Sequence, residues 1–457
     1  MSRQSLLLLV FVVALGEGLR LHSGNQPAAA YAWLALAELA VGAAVFLPVR
    51  EDPAGRWAAL LTPLSLVALA LEAWQLAASR PGWRTRPGAP IHVVLGLVAI
   101  AAAVLAAAGI SGGSRLRRAA PVLVCAAFLS AFVWFVYATP NPWIDVHMFH
   151  DESFADLLAG RDPYGQLRPN LYPRFPFYAP EFLAEGGRRV NVGFPYPPLQ
   201  LLLALPAHLI AGDYRYGQAM ALPLSAALMM LAIPGRAATA AGALFLMTPS
   251  ILVAVEGSWT EPTVVLLFSA AMFCAVRAPR LLPWALGGLF AIKQYTIALA
   301  PLLPLLLRDE ERNVRGLGKL LLGALAVAAA VTAPFFLWNP SAFLRDLVLF
   351  QVRQPFRLDS FSWLALARLA GWALPPWLSF AVLFALLAAA AARAPRSPAG
   401  FAAAAALAYC GFFSTAKQSF TNYYLYALAA GAWALALAGD DRPAAAAQST
   451  HTVNHGA

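Results

Sequence analysis

Charge is what this sequence lacks. Of its 457 residues only 12% are Asp, Glu, Lys or Arg, while 60% are hydrophobic. Its mean hydropathy is +0.65. Soluble domains are about a quarter charged and about half apolar, so a soluble globular chain is excluded. Cysteine is also scarce. Cys125, Cys274 and Cys410 stand singly in apolar runs, with no spacing for a disulfide framework or a thiolate metal site. The apolar stretches are continuous rather than alternating, which argues against a transmembrane β-barrel. No internal repeat is visible, which weighs against transporters built on inverted repeats. The net charge of +10 points to no nucleic-acid partner, because the arginines sit in short loops between apolar runs.

What is present is a series of apolar runs long enough to cross a bilayer. The expected fold is an all-α polytopic membrane protein with about thirteen or fourteen transmembrane helices. Runs over 5–18, 28–48, 57–78 and 91–110 come first, and 1–118 is read as an accessory group of membrane helices. The first run resembles a signal peptide, but no small-residue cleavage site follows, so an uncleaved helix is expected. Arg115, Arg117 and Arg118 mark a cytoplasmic turn. The helix over 119–139 then runs outward and stops at Thr139-Pro140-Asn141-Pro142. On this scheme Arg80, Arg84 and Arg86 lie outside, against the usual charge rule. Tyr196–Ile210 is short and rich in proline. A re-entrant reading of it puts Arg236, Arg277 and Arg280 inside and Glu256 and Glu261 outside, as that rule favours. Leu281–Leu307 then becomes a hairpin bent at Lys293-Gln294, returning to the basic cluster Arg308, Arg312, Arg315 and Lys319. The segment 441–457 is expected to be a disordered cytoplasmic tail.

The long segment that does not read as membrane is the loop 140–195. It gathers Asp145, His147, His150, Asp151, Glu152, Asp156, Asp162 and five arginines. Asp145 stands at the water boundary just past a helix end. There a carboxylate can stay ionised and take a proton from a hydroxyl; equally, it can cap the helix expected over Val146–Leu158. His147 and His150 share a helix face beside Asp151, so a divalent metal is the one cofactor left open. Gly160 and Pro163 end that helix. The aromatic phrase Phe194–Leu199 enters the membrane. Tyr164, Tyr196 and neighbouring aromatics fit either an interfacial belt or the wall of a sugar site. Lys293, Lys417-Gln418 and the i, i+4 pair Arg353 and Arg357 are either ordinary interfacial charges or phosphate ligands. The topology brings Asp145, Glu256, Glu261, Lys293, Arg353, Arg357 and Lys417 to one membrane surface. Carboxylates and cations meeting there suggest an anionic lipid headgroup held near a general base.

The sequence resembles the GT-C superfamily of membrane glycosyltransferases, most closely the glycosyltransferase 87 group of polyprenyl-phosphate-mannose-dependent mannosyltransferases. The phrases that carry the resemblance are Asp145, Leu157–Tyr164, Tyr196–Leu199, Lys293-Gln294 and Lys417-Gln418, within residues 119–440. Two departures accompany it: four helices precede the module, and Glu256-Gly-Ser-Trp-Thr-Glu261 stands where a Gly-Gln-x-Asp phrase is expected. The resemblance implies an inverting transfer of a sugar, mannose by analogy, from a polyprenyl-phosphate donor to a lipid or glycan hydroxyl at the outer face. Asp145 is the implied catalytic base. Lys293, Arg353, Arg357 and Lys417 are the candidate phosphate ligands. Asp151, Glu261, Tyr164, Tyr196 and Gln418 are candidates for sugar or acceptor contact. The Ala-, Arg- and Pro-rich composition suggests a GC-rich bacterial genome, and so a plasma-membrane protein. The competing class is a transporter or flippase of a lipid-linked or polar solute.

Overall fold

Runs rich in Ala and Leu become helices here because a bilayer offers no water to backbone N–H and C=O groups, which must pair within the segment. The computed structural model of the chain describes residues 3–22, 26–48, 56–79 and 85–439; the expected tail and Arg80 and Arg84 lie outside them. The first helices are α1 (Arg3–Leu21), α2 (Ala28–Phe46), α3 (Arg56–Ala78), α4 (Ile91–Ser111) and α5 (Ser114–Ala138). The site helix α6 (Asp145–Leu158) follows, then α7 (Pro198–Ala211), α8 (Arg215–Ala232), α9 (Arg236–Met247), α10 (Ser250–Glu256), α11 (Glu261–Arg277) and α12 (Leu282–Ile292). A 3₁₀ helix, Thr296–Leu306, leads to α13 (Val314–Trp338) and the short α14 (Pro340–Leu344), α15 (Phe350–Arg353) and α16 (Trp363–Leu369). The chain closes with α17 (Leu378–Arg393), α18 (Pro398–Ser414) and α19 (Thr421–Ala438). The protein is an all-α polytopic membrane protein. Among the described residues six helices are long and apolar enough to cross a bilayer, up to seven if α9 and α10, bent by 54° at their junction, are counted as one span.

One continuous apolar core runs from Phe11 on α1 to Trp433 on α19. Their contact needs a glycine: a Cβ on Gly431 would stand 2.1 Å from the Phe11 ring. The leading helices are tied to later ones by polar bonds as well. Ser5 Oγ donates to Ala438 O at 3.0 Å, and Trp363 Nε1 donates to Glu38 Oε2 at 3.1 Å.

Two local geometries bear on the topological expectations. Both ends of α7 lie against α6. Tyr196, just before α7, faces His150 at 5.8 Å, and His208 near its end faces Phe154 at 4.4 Å. α7 therefore lies alongside α6 over its length. The chain also breaks at Lys293, between α12 and the 3₁₀ helix. Pro283 at the start of α12 shares a cleft with Leu307, Arg308 and Lys319, so the two arms form a hairpin. Arg280, Arg308, Arg315 and Lys319 line that cleft, and Arg312 Nη2 donates to Arg396 O at 3.0 Å. These basic residues thus gather at the open end of the hairpin. Arg86 lies beside the end of α5: its N–H donates to Ala138 O at 2.8 Å and its guanidinium covers Tyr137 at 4.3 Å.

The loop after α5 folds around a second core of Phe149, Phe154, Tyr164, Phe194, Phe343 and Phe350. It carries three two-residue strands, β1 (Arg168–Pro169), β2 (Leu183–Ala184) and β3 (Arg189–Val190), ordered β1-β3-β2, with both pairs antiparallel. Two buried charges hold it together. Arg168, 3% exposed, pairs with Asp156 at 2.6 Å and donates to Gly193 O and Pro163 O. Asp346, fully buried, accepts the N–H groups of Gly165 and Gly193, both at 2.7 Å, and Arg345 Nε at 3.0 Å. Gly165 has φ +74°, and a Cβ on Gly193 would stand 2.2 Å from Pro163 O, so glycine is required at both. Replacing Asp346 strands two buried amides and a guanidinium. Asp346→Ala should cost about 3 kcal/mol. Thermal unfolding, with proteolysis of the 166–190 segment at a permissive temperature, measures it.

Candidate active site

The loop, the Pro195-Tyr196 segment before α7 and the Lys293 break line a cavity of ≈ 800 Å³. Asp145, Tyr178, Tyr196, Glu261, Lys293, Gln294, Arg357, Lys417, Gln418 and Asn422 all line it. Its far wall is apolar, made by Val348, Val352, Trp377, Phe380 and Phe412. Trp377 is 65% exposed and Phe380 53%. That side therefore presents large apolar side chains at the protein surface.

Asp145 is the first residue of α6, one place past the N-cap Ile144, and the expected capping bond does not form. Its Oδ1 accepts only the adjacent Val146 N–H, at 2.8 Å. Its Oδ2 accepts Tyr178 OH at 2.8 Å and faces the cavity. Burial pushes the carboxyl above its ordinary range, while the Tyr178 and Val146 bonds and the charge of Arg357 pull it back. A carboxylate so balanced is a stronger base than a free aspartate.

Opposite Asp145, Lys293 and Glu261 form a buried ion pair, Nζ to Oε1 3.2 Å. Lys293 also donates to Thr260 Oγ1 and lies 4.5 Å over the Tyr196 ring. Asn422 Nδ2 donates to Glu261 Oε2 at 3.0 Å. Glu261 opens α11, where the helix dipole favours negative charge. The turn before it is strained: Ser258 has φ +56°. Tyr214 OH and Gln218 Nε2 donate to Ser258 O at 2.9 and 3.2 Å. Ser258 Oγ sits 3.1 Å from His147 Nδ1. His147 Nε2 in turn meets Asp151 Oδ2 at 3.1 Å. This resembles a nucleophilic triad, but Ser258 is fully buried and outside the cavity lining. It works as a strut between the Asp145 helix and the Glu261 turn.

Arg357 is held by Asp359 through two bonds, 2.8 and 2.6 Å, and covers the Phe177 ring at 3.6 Å. Burial works against the Asp359 carboxylate, but the bonds and charge of Arg357 hold it below the usual range. Lys417 lines the cavity, yet its ammonium donates to Val352 O and Gln354 O at 2.7 and 2.6 Å. Gln418 donates to Pro355 O at 2.8 Å.

The structure therefore brings together Asp145, Glu261, Lys293, Arg357, Lys417, Gln418 and Tyr196. It does not bring in Arg353, whose side chain is 63% exposed and 4.0 Å from Glu181; no clamp with Arg357 forms because the helix ends at Arg353. Asp151 lies behind α6, between His147 and His208. Tyr164 is buried and donates to Tyr196 O at 2.8 Å, so it supports the wall rather than forming it. His147 and His150 do not converge on one point. His150 Nδ1 faces Val146 O at 2.7 Å, and burial pushes its imidazole down to about 3, so it is neutral. Among the described residues no group of three His, Cys, Asp or Glu is arranged to hold a metal ion. Sequence reading passed over Asp359, which carries no motif, and gave Tyr178 no role beyond one aromatic among several.

No family model matches the chain, and no curated protein matches it. Two solved structures are similar. The crystal structure of ArnT from Cupriavidus metallidurans bound to undecaprenyl phosphate is 18% identical, with a TM-score of 0.48. That alignment covers 71% of this chain and 60% of that one. ArnT from the same organism in the apo state is 20% identical, with a TM-score of 0.45, covering 69% and 59%. The chain thus spans less than two thirds of the length of these structures.

Breaking the buried pair from one side should be costly. Lys293→Met or Glu261→Gln alone should lose about 3–5 kcal/mol. The double variant should recover much of that loss, because no unpaired charge remains. Unfolding of the four proteins in one detergent measures the cycle.

Proposed function

We propose that the chain is a GT-C-type membrane glycosyltransferase that moves a sugar from a polyprenyl-phosphate donor to a hydroxyl of a lipid or glycan. The observation that carries this reading is one cavity with three matched features. It has a carboxylate tuned as a base, a cluster of cations opposite it, and an apolar wall open to lipid. Mannose is the donor sugar by the resemblance of the sequence phrases, and the reaction is inverting. The same resemblance supports a site at the outer face of a bacterial plasma membrane.

In this mechanism the donor lies with its isoprenoid chain along Trp377 and Phe380 and its phosphate toward Lys293 and Arg357. The acceptor hydroxyl approaches Asp145 Oδ2. Asp145 takes the hydroxyl proton as the oxygen attacks the anomeric carbon. The bond from that carbon to the phosphate oxygen breaks, and the electron pair leaves with the lipid phosphate. Lys293 and Arg357 stabilise the charge that grows there. Tyr178 holds the carboxylate in place through the attack.

The test is transfer of radiolabelled sugar from polyprenyl-phosphate mannose to membrane lipids by purified protein. Asp145→Asn should lower the rate about 100-fold or more while the protein stays folded. Release of free polyprenyl phosphate marks a transferase; an intact donor moved across the bilayer marks a flippase and ends the present reading. Adding EDTA reads metal dependence directly.

A second expectation concerns pH. Activity should rise as Asp145 ionises, with its acidic limb above the ordinary carboxylate range, because burial raises that group. Tyr178→Phe removes a bond to the ionised form. The limb should therefore move to still higher pH, and the pH–rate profile of the two proteins checks the sign.

A further inference from the structure

Three polar side chains inside the leading helices take no part in the chemistry above. Glu17 on α1 is 4% exposed, Glu72 on α3 1%, and Gln75 on α3 5%. Gln75 lies three residues beyond Glu72, on the same helix face, and donates through Nε2 to Glu17 Oε1. The Glu72 carboxylate lies against α1 at Gly16. A Cβ there would stand 3.2 Å from Glu72 Oε1 and 3.6 Å from Thr248 Oγ1. Arg20 is the cation of the cluster, binding Glu17 Oε2 through Nε and Nη2 at 3.1 and 2.8 Å. Glu17 and Arg20 are the charged groups that act on Glu72. Glu72 Oε2 and Gln75 Oε1 are buried and find no partner among the described residues.

Among the described residues the charges do not balance. Two carboxylates face one guanidinium, which leaves one negative charge in excess in a buried setting, where an uncompensated carboxylate is costly. A divalent ion would leave an excess of one positive charge. A single monovalent charge closes the sum. The unpaired atoms are oxygens, the donors that protons and hard cations take. The Arg20 side chain, 36% exposed, gives the cluster an edge to the surroundings.

We propose that Glu17, Glu72 and Gln75 form a binding site for one monovalent cation, a proton or an alkali-metal ion, between α1 and α3. The site borders Thr248, in the break between α9 and α10, and α10 leads to the strained turn before Glu261. Its occupancy secures the leading helices against that broken span. This inference does not depend on the transferase reading.

The experiment is thermal unfolding of the full-length protein in detergent, in sodium, potassium or choline chloride at equal ionic strength, across a pH series. If an alkali ion binds, sodium or potassium raises the wild-type midpoint by about 2 °C or more over choline at alkaline pH. If a proton binds, the salt cation is indifferent. The midpoint then falls as pH rises above the ordinary carboxylate range, because the folded chain holds a proton that the unfolded chain has released. Glu72→Gln removes the cation dependence, or the share of the pH dependence that this cluster adds to that of the other buried carboxylates, and so does Glu17→Gln, which leaves one carboxylate for one guanidinium. A wild type indifferent to both cation and pH overturns the proposal, as do variants that keep its full response. Should neither variant fold, infrared difference spectra of the wild type between acid and alkaline pH and between sodium and choline decide. A buried protonated-carboxyl band that titrates, or a carboxylate band that shifts with sodium, supports the site; the absence of both rejects it.

Discussion

The buried contact between Lys293 and Glu261 is the constraint around which the rest of this molecule is arranged. An ammonium group with 7% of its side chain exposed cannot stand alone in a low-dielectric wall. Each neighbour that satisfies it sits where a helix begins or breaks. Lys293 itself lies where α12 gives way to a 3₁₀ helix, and Glu261 is the first residue of α11. Asn422, which holds the other Glu261 oxygen, is in the first turn of α19. Tyr196, under the ammonium, ends the extended segment before α7. Four interruptions of helical order meet at one charge pair. Irregular backbone at membrane depth survives only where protein or a cavity receives it, and here it lines the cavity.

That pairing also decides how the cavity can treat a ligand. Lys293 is matched by Glu261, Arg357 by Asp359, and Lys417 by two backbone carbonyls. The resting cavity is therefore nearly neutral, although cations are prominent in its sequence. An anion entering it must share these cations with carboxylates already bound. Under the proposed function this limits affinity for the donor phosphate while the cations stay oriented for charge that develops later, a division that favours turnover over tight ground-state binding.

Much of this was legible in the sequence, because the signals were local. The end of α6 just before Gly160 and the proline-rich entry at Tyr196 follow from turn and proline rules, and the break at Lys293 from the charge rule for membrane loops. The convergence of Asp145, Glu261 and Lys293 followed from charge placement along the membrane normal. What stayed hidden depends on side-chain direction rather than position. Lys417 reaches the cavity wall but turns its ammonium into carbonyls, and Arg353 sits four residues from Arg357 yet outside, because the helix stops between them. Asp346 and Arg168 were hidden for a different reason. Each joins segments far apart in the chain: Asp346 lies 181 residues from Gly165 and 153 from Gly193.

The placement of Asp145 relative to Glu261 and Lys293 is fixed from two sides. The cavity side is set by the ion pair. The reverse side is set by the His147–Ser258 strut, which fixes α6 to the turn that carries Thr260 and Glu261. Ser258 adopts a left-handed conformation that a serine holds only when its surroundings impose it. Three side chains do so here: His147 from α6, Gln218 from α8 and Tyr214 from the residue that precedes α8. Strain at Ser258 is thus the local cost of placing Glu261 across from Asp145. A relaxed turn there would be free to rotate Glu261 away, and with it the ammonium of Lys293.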